Sequence, residues 1–480
     1  MKAMHTKRII LAIISATFLS AGTLAQQASV IPPKPANATV LSNAAVPPAA
    51  SAPSESTERE RKQFEQTDRA AAANKEAGGS ARSDSAESTS AGKTNVNVLY
   101  QGYNFNGSVE RINLLRAYDP DAVQEPKTSE PEWHYGGFVD AGYLLDFNHP
   151  ANDIFRGRGT AWHVDDLHLN MAGAYVKKDP SETSRWGAQL AVQGGKDCEV
   201  FGFSATAPNI DGFKWLRHLG PTNVSYLAPV GKGLTVQGGI FGSLIGYDSL
   251  YARDNFNYTR PWEADFTPYF MLGVDASYPF TEKLTGTLFV VNGYWHLANA
   301  NSVPSSGGQI AYKASPRVTV KETVLWGPHQ TDTSLKYWRS LSDTIVERSG
   351  DRVTFAFEYI YSSERVVAPG DPRALMMAAH LPVRWTLNKR WSASVRPEVF
   401  WDRDGRWTLA RQTVKAITTT LEYRIPYKET NTILRLEHRW DDSRGPDGGF
   451  FRGAEVAPGV IGLTPTQHLL IFGLIFTFDH

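Results

Sequence analysis

A chain of 480 residues, 41% hydrophobic and 20% charged, can hold several ordinary domains or one large sheet structure. Its 49 basic and 49 acidic residues cancel, so the totals point to no nucleic acid and no polyanionic partner. The single cysteine, Cys198, cannot staple the chain to itself, which leaves packing and backbone pairing to supply stability outside the cytoplasm.

The first residues read as a signal peptide over 1–25. "MKAMHTKR" supplies a basic start, "IILAIISATFL" a short apolar run and "SAGTLA" a small-residue cleavage site. That run is too short for a membrane helix, and no later apolar run approaches the roughly 18 residues such a helix needs. Residues 26–94 are Ala, Ser, Pro and charge, a composition that cannot bury a core and predicts a disordered tail. Within it "STERERKQFEQTDRAAAANKEA" favours helix, but Phe64 is its only large apolar residue, so no stripe exists to dock it. Residues 95–132 are predicted as a periplasmic linker or a segment at the mouth of a barrel, with "VERINLLRAY" able to form a short amphipathic helix.

From Trp133 onward the texture becomes alternation with period two. "WHYGGFVDAGYLLDFN" sets Tyr135, Val139, Ala141, Tyr143, Leu145 and Phe147 against Asp140, Gly142 and Asp146. "DLHLNMAGAYVKK" sets Leu167, Leu169, Met171 and Tyr175 against Asp166, His168 and Asn170. "RVTFAFEYIYSS", "WSASVRPEVFWD" and "TILRLEHRWDD" obey the same rule; in the last, Leu434, Leu436, His438 and Trp440 oppose Arg435, Glu437, Arg439 and Asp441.

Strands of this kind fit a soluble β-sandwich or a membrane barrel, and connection lengths separate the two. Short turns such as "PVGKG", "PFTEK", "RSGDR" and "TLNKR" alternate with long connections, among them Lys196–Arg217, Gly246–Ala264 and Asp442–Pro465. A sandwich has no reason to segregate its loops in this way. The prediction is therefore all-β: a transmembrane antiparallel up-and-down β-barrel of roughly sixteen strands over 133–480, with tight periplasmic turns and longer outer loops. Aromatic residues at strand ends, including Tyr135, Phe147, Tyr175, Trp186, Phe280, Trp391 and Trp440, fit the headgroup layers.

The polar row then faces a lumen, and a barrel of this size is wide enough for an aqueous channel. Proposed lumen-lining residues are Arg396, Glu398, Glu422, Arg424, Arg435, Glu437, Arg439 and Asp441, with Asp140, Asp166 and His168. Hydrated and paired across strands, such charges set a field for passing ions; they also stiffen the wall as a salt-bridge ladder. No catalytic, metal or cofactor site is predicted. "WHVDDLH" places His163 and Asp165 on one face near the outer rim, where a solvated strand end is the simpler reading than a cation or lipopolysaccharide site. "DRDG" from Asp402 to Gly405 reads as a turn, since it lacks the spaced ligands of a calcium loop. His438 and Ser443 raise an outer-membrane lipolytic enzyme as a rival function, but no G-x-S-x-G accompanies them. A closed barrel plugged by its N-terminal segment is the other alternative.

In order along the chain, "FVDAGYLLDFNHP", "VSYLAPVGKGLTVQGGIFGSLIGYD", "NFNYTRPWEADFTPYFMLGVDASYPF", "FVVNGYW", "SVRPEVFWDRDGRW" and "ILRLEHRWDDS" resemble the OmpL-like family of β-barrel porins. The resemblance runs from about Trp133 to the end and leaves out the N-terminal tail. It implies a porin barrel in the outer membrane of a Gram-negative bacterium with little defined substrate, while the expected passage of small hydrophilic solutes or ions rests on the width and charge of the lumen. Its expected partners are outer-membrane lipid and lipopolysaccharide and the barrel-assembly machinery, with a homo-oligomer left open.

Overall fold

A computed structural model describes residues 133–200, 216–294, 303–329 and 336–480, so the expected signal peptide, tail and linker before Trp133 lie outside the described residues. The strands run β1 (Trp133–Asp146), β2 (Leu167–Lys178), β3 (Trp186–Gly194), β4 (Thr222–Ala228), β5 (Leu234–Gly242), β6 (Phe270–Pro279), β7 (Leu284–Val291), β8 (Ser305–Ser315), β9 (Val318–Pro328) and β10 (Trp338–Arg348). They continue as β11 (Val353–Arg365), β12 (Arg373–His380), β13 (Val383–Thr386), β14 (Trp391–Asp402), β15 (Gln412–Tyr427), β16 (Thr430–Arg444), β17 (Phe450–Ala457), β18 (Val460–Thr464) and β19 (Thr466–Asp479).

Neighbours pair antiparallel, and β1 pairs with both β2 and β19, which closes the sheet and leaves no edge to template aggregation. Segments β12 and β13 lie end to end between β11 and β14, each of which pairs with both, so the barrel has 16 strands. Pro382 stands at the break. It has no amide proton for the ladder, but its carbonyl still accepts from Ala356 N at 3.1 Å. β17 and β18 form a separate hairpin in the connection between β16 and β19.

Closure follows from the alternation. Along β16, Arg435, Glu437, Arg439 and Asp441 are buried while Leu434, Leu436 and His438 are exposed. The outward apolar residues line up across strands: Leu421, Leu436 and Phe472 occupy one register, and Tyr423, Leu434 and Leu474 the next. Connections at one rim run from two to seven residues, and those at the other from seven to 27. Outward aromatic pairs band the short-turn rim, with ring centroids 4.7 Å apart for Trp186–Tyr226 and 4.6 Å for Trp391–Tyr423. No described helix is long and apolar enough to cross a membrane; the strands make the crossing.

One strand departs from simple alternation. In the β1–β2 ladder Asp140 faces Met171 and Ala141 faces Leu169, so Asn170 is the extra residue of a bulge. Leu167 and Leu169 point outward, but beyond the bulge Met171 and Tyr175 turn inward, opposite to the alternation expected for them. Met171 is fully buried, and the Tyr175 hydroxyl donates to Asp479 Oδ1 at 2.9 Å.

Leu436 tests the assignment of faces. An arginine there would stand on the lipid side and cost about 2–4 kcal/mol near the midplane. Leu436→Arg is expected to shift the urea midpoint of folding into lipid vesicles downward and to weaken the heat-modifiable folded band, while Thr419→Ser on the same face leaves both unchanged.

Candidate functional site

The connection between β5 and β6, residues 243–269, does not stay outside. It folds into the barrel as two single-turn 3₁₀ segments, Ala252–Asp254 and Glu263–Phe266, joined by a stretch in which Asn255, Asn257, Tyr258, Thr259 and Arg260 are all buried. A chain so placed must find partners for its amides and carbonyls without bulk water. The inward rows of β14, β15 and β16 provide them.

Carboxylates take the amides. Glu437 accepts from Tyr258 N, from Thr259 N at 2.9 Å, from Thr259 Oγ1 and from Thr420 Oγ1 at 2.6 Å, which fills its lone-pair sites. Glu398 accepts Trp262 N at 2.6 Å, and Asp441 accepts the Trp262 indole N–H at 2.8 Å. Arginines take the carbonyls. Arg435 donates to Ala252 O at 2.7 Å, Asn257 O at 3.0 Å and Asn255 O at 2.6 Å, so its cation caps the C-terminal end of the first 3₁₀ turn. Arg396 donates to Thr259 O at 2.6 Å and Arg439 to Arg260 O at 3.0 Å.

Behind this grip the wall charges neutralise one another. Glu422 binds Arg384 at 2.7 Å, Arg424 at 2.6 Å and Arg435 at 2.8 Å, while Arg439 bridges Glu398 at 3.0 Å and Asp441 at 2.8 Å. On the far side Asp140 accepts the Tyr258 hydroxyl at 2.6 Å, and the same hydroxyl accepts from Asn170 Nδ2 at 2.6 Å. The eight charged positions of β14–β16 and Asp140 therefore lie inside the barrel, where the loop covers most of them. Asp166 is exposed just before β2, and His168 stands partly buried at the strand's outer end, 3.7 Å from Asp166. These two join neither the loop nor the ladder.

Toward the long-loop rim the interior is apolar. Phe155 from the β1–β2 connection meets Trp262 at 5.9 Å and Phe450 of β17 at 6.3 Å, and Phe400, Leu144 and Ile471 pack in the same cluster. Arg158 closes this layer by donating to Arg260 O at 2.8 Å and pairing with Asp265 at 2.9 Å. Asp197, in the β3–β4 connection, lies 3.4 Å from Arg260 and accepts Ala161 N at 2.8 Å. Burial outweighs both partners and pushes its carboxyl up to about 7.

The smaller constellations do not assemble into sites. His163 stacks against Trp162 and His168, whereas Asp165 contacts His149 at 3.1 Å and accepts Asp146 N, so the two share no joint site. His438 faces outward beside His468, while Ser443 is inside and donates to Gln412 Oε1 at 2.6 Å; they form no dyad. Asp402 accepts the amides of Arg406, Trp407 and Thr408, and Gly405 has φ +70°, which makes "DRDG" the start of a turn. Cys198 is buried against Met171. The residues that strand reading does not reach are those of the loop itself. A long outer connection carrying Arg253, Tyr258, Arg260 and Trp262 holds more ring and guanidinium surface than a solvated loop needs.

The sequence matches the family described as "Putative beta-barrel porin-2, OmpL-like" over residues 133–478. Among solved structures it is similar to the anion-selective porin from Comamonas acidovorans, with 9% identity, 73% of this chain and 100% of that one covered and a TM-score of 0.46. It is similar also to Salmonella typhi OmpF in complex with daunomycin, at 11%, 74%, 100% and 0.47, and to in-vitro folded OmpT of Vibrio cholerae, at 10%, 75%, 100% and 0.44. No curated protein sequence matches.

Two outcomes are expected from this geometry. Arg435→Ala leaves Glu422 short of a partner and takes a donor from three loop carbonyls, a loss of about 3–5 kcal/mol for a broken buried pair. Trypsin is then expected to cut the folded variant after Arg253 or Arg260, both buried in the parent, and to leave those two bonds uncut in the parent. For Asp197, an acid whose folded value of about 7 exceeds its usual 3.8 binds its proton more tightly folded than unfolded. Its contribution to stability therefore falls as pH rises from about 4 to about 7. Between pH 5 and pH 8 the parent's heat-modifiability midpoint should drop by more than that of Asp197→Asn.

Proposed function

Because this chain belongs to the OmpL-like β-barrel porin family, we propose that it is an outer-membrane porin that passes small hydrophilic solutes or ions through a lumen narrowed by the β5–β6 loop. One observation carries the reading. The loop is gripped on the β14–β16 side, while across the barrel the inward rows of β8–β10 keep Lys313, Thr319, Lys321 and Glu347 only partly buried. Charged side chains inside a barrel that retain access to water mark a hydrated path. The wall nearby is polar too, with Gln237, Asp275, Ser277 and Thr287 on inward rows. Export by the N-terminal signal and assembly into lipopolysaccharide-bearing membrane belong to the same reading.

A second reading, a closed barrel, draws on the apolar cluster of Phe155, Trp262, Phe400 and Phe450, which fills the long-loop half. The plug in that case is the β5–β6 loop.

Planar-bilayer recording separates them. The porin reading expects discrete conductance steps from the parent, a several-fold larger step when residues 250–263 are replaced by a short Gly-Ser link, and a shift of reversal potential toward cation preference in Lys321→Glu. A silent parent whose loop-shortened variant conducts identifies the closed barrel; silence from both removes the pore altogether.

A further inference from the structure

The flank of the loop that faces away from β14–β16 meets a different set of groups. Asp248 and Glu263 of the loop converge there with Glu358 of β11 and His380 of β12, and Asp343 of β10 lies beside them, every one at or below 9% exposure. His380 Nε2 lies 3.0 Å from Asp248 Oδ2, which keeps the ring proton on Nε2 and turns Nδ1 toward two more carboxylates. Glu263 Oε1 is in contact with Nδ1, and Glu358 Oε2 stands 3.7 Å from it. Backbone amides fix the wall members: Tyr247 N donates to Glu358 Oε2 at 2.7 Å and Gly246 N to Asp343 Oδ2 at 2.8 Å.

What remains is a surplus of acceptors. Glu263 Oε2, Glu358 Oε1 and Asp343 Oδ1 make no hydrogen bond, while Glu263 Oε1 pairs with His380 Nδ1. Among the described residues no lysine or arginine comes within ion-pair distance of Glu263, Glu358 or Asp343. Carboxylates gathered in a buried space repel one another unless protons neutralise them or a cation lies among them. A doubly protonated His380 supplies one charge and reaches Glu263 Oε1, but leaves Glu263 Oε2 and Glu358 Oε1 without a donor.

We infer that Glu263, Glu358 and His380 bind a divalent first-row metal ion that fastens the β5–β6 loop to β11 and β12, with Asp248 orienting the imidazole. One donor atom from each of the three lies within 4.8 Å of the others. Two ligands about 2.1 Å from a tetrahedral zinc stand roughly 3.4 Å apart, so the ion seats with side-chain shifts on the order of an ångström. A nitrogen with two carboxylates suits Zn²⁺ and its neighbours, whereas Mg²⁺ and Ca²⁺ prefer oxygen alone. The hydrogen bond from His380 to Asp248 is the outer contact that metal-bound histidines ordinarily make. The site depends on where the loop runs and is independent of whether the barrel conducts.

The test is calorimetric titration of the chelator-washed, detergent-folded full chain with Zn²⁺. The parent is expected to take up one tight equivalent. Glu263→Gln and His380→Gln, shown to be folded by heat-modifiable migration, should lose it. A variant with His163, His438 and His468 all changed to Gln should keep it, since those rings lie outside this cluster. Zn²⁺ should also raise the temperature at which the parent's folded band disappears, and not that of Glu263→Gln; Mg²⁺ should do neither. If His380→Gln does not fold, Glu263→Gln decides alone, because its carboxylate is on the loop. A parent that binds no equivalent, or one that survives Glu263→Gln, overturns the inference.

Discussion

Polypeptide that crosses the inside of a barrel carries a donor and an acceptor at nearly every residue, and each must be met there. This constraint organises the molecule. Glu437, Glu398 and the wall carboxylates Asp343 and Glu358 accept from amides of the loop, while Arg396, Arg435 and Arg439 donate to its carbonyls. The alternating charges of β14–β16 are thus a complement to main chain. Their mutual pairing through Glu422, Glu398 and Asp441 keeps the burial of so many ions from becoming prohibitive. A charge-assisted bond contributes about 1.5–3 kcal/mol where its partner is held in place, comparable to the roughly 1–2 kcal/mol of backbone entropy lost at each residue so ordered.

The same constraint divides the interior. Where the loop passes toward the long-loop rim, aromatic side chains fill the space and Arg158 covers the carbonyls of Arg260 and Pro261. On the side of β8–β10, toward the short-turn rim, polar and charged side chains stay in partial contact with water. Passage, in the proposed function, is confined to that side. The family places the barrel among porins; the position of the loop decides which part of its bore remains available.

The strands and their facing were legible because a period of two is a local property: Arg435 and Leu436 declare opposite faces with no knowledge of any neighbour. The alternation of short and long connections was legible for the same reason. Two things were not. The bulge at Asn170 belongs to a pairing between strands, and nothing local marks the residue after which Met171 and Tyr175 change sides. The path of residues 243–269 is likewise a tertiary fact. The partners of Tyr258 and Trp262 lie on strands far along the chain, so the charged row read as facing a water-filled lumen alone gave no sign that a loop lay against it. Glu263, Glu358 and His380 come from three separate segments, with none of the close spacing that makes a ligand set visible in sequence.

The bond from Tyr258 N to Glu437 spans 179 residues, and those from Arg435 to the loop carbonyls span as many as 183. The loop leaves β5 early in the chain, while the strands that hold it are among the last. Contacts of such high order form late, after the ends of the intervening chain have been brought together. During assembly the loop must therefore wait, with its arginines and aromatics unpaired, inside a sheet that is still open. The seat of the loop against β14–β16 is thus complete only once the last strands of the chain are in place, the same strands through which β19 closes the sheet onto β1.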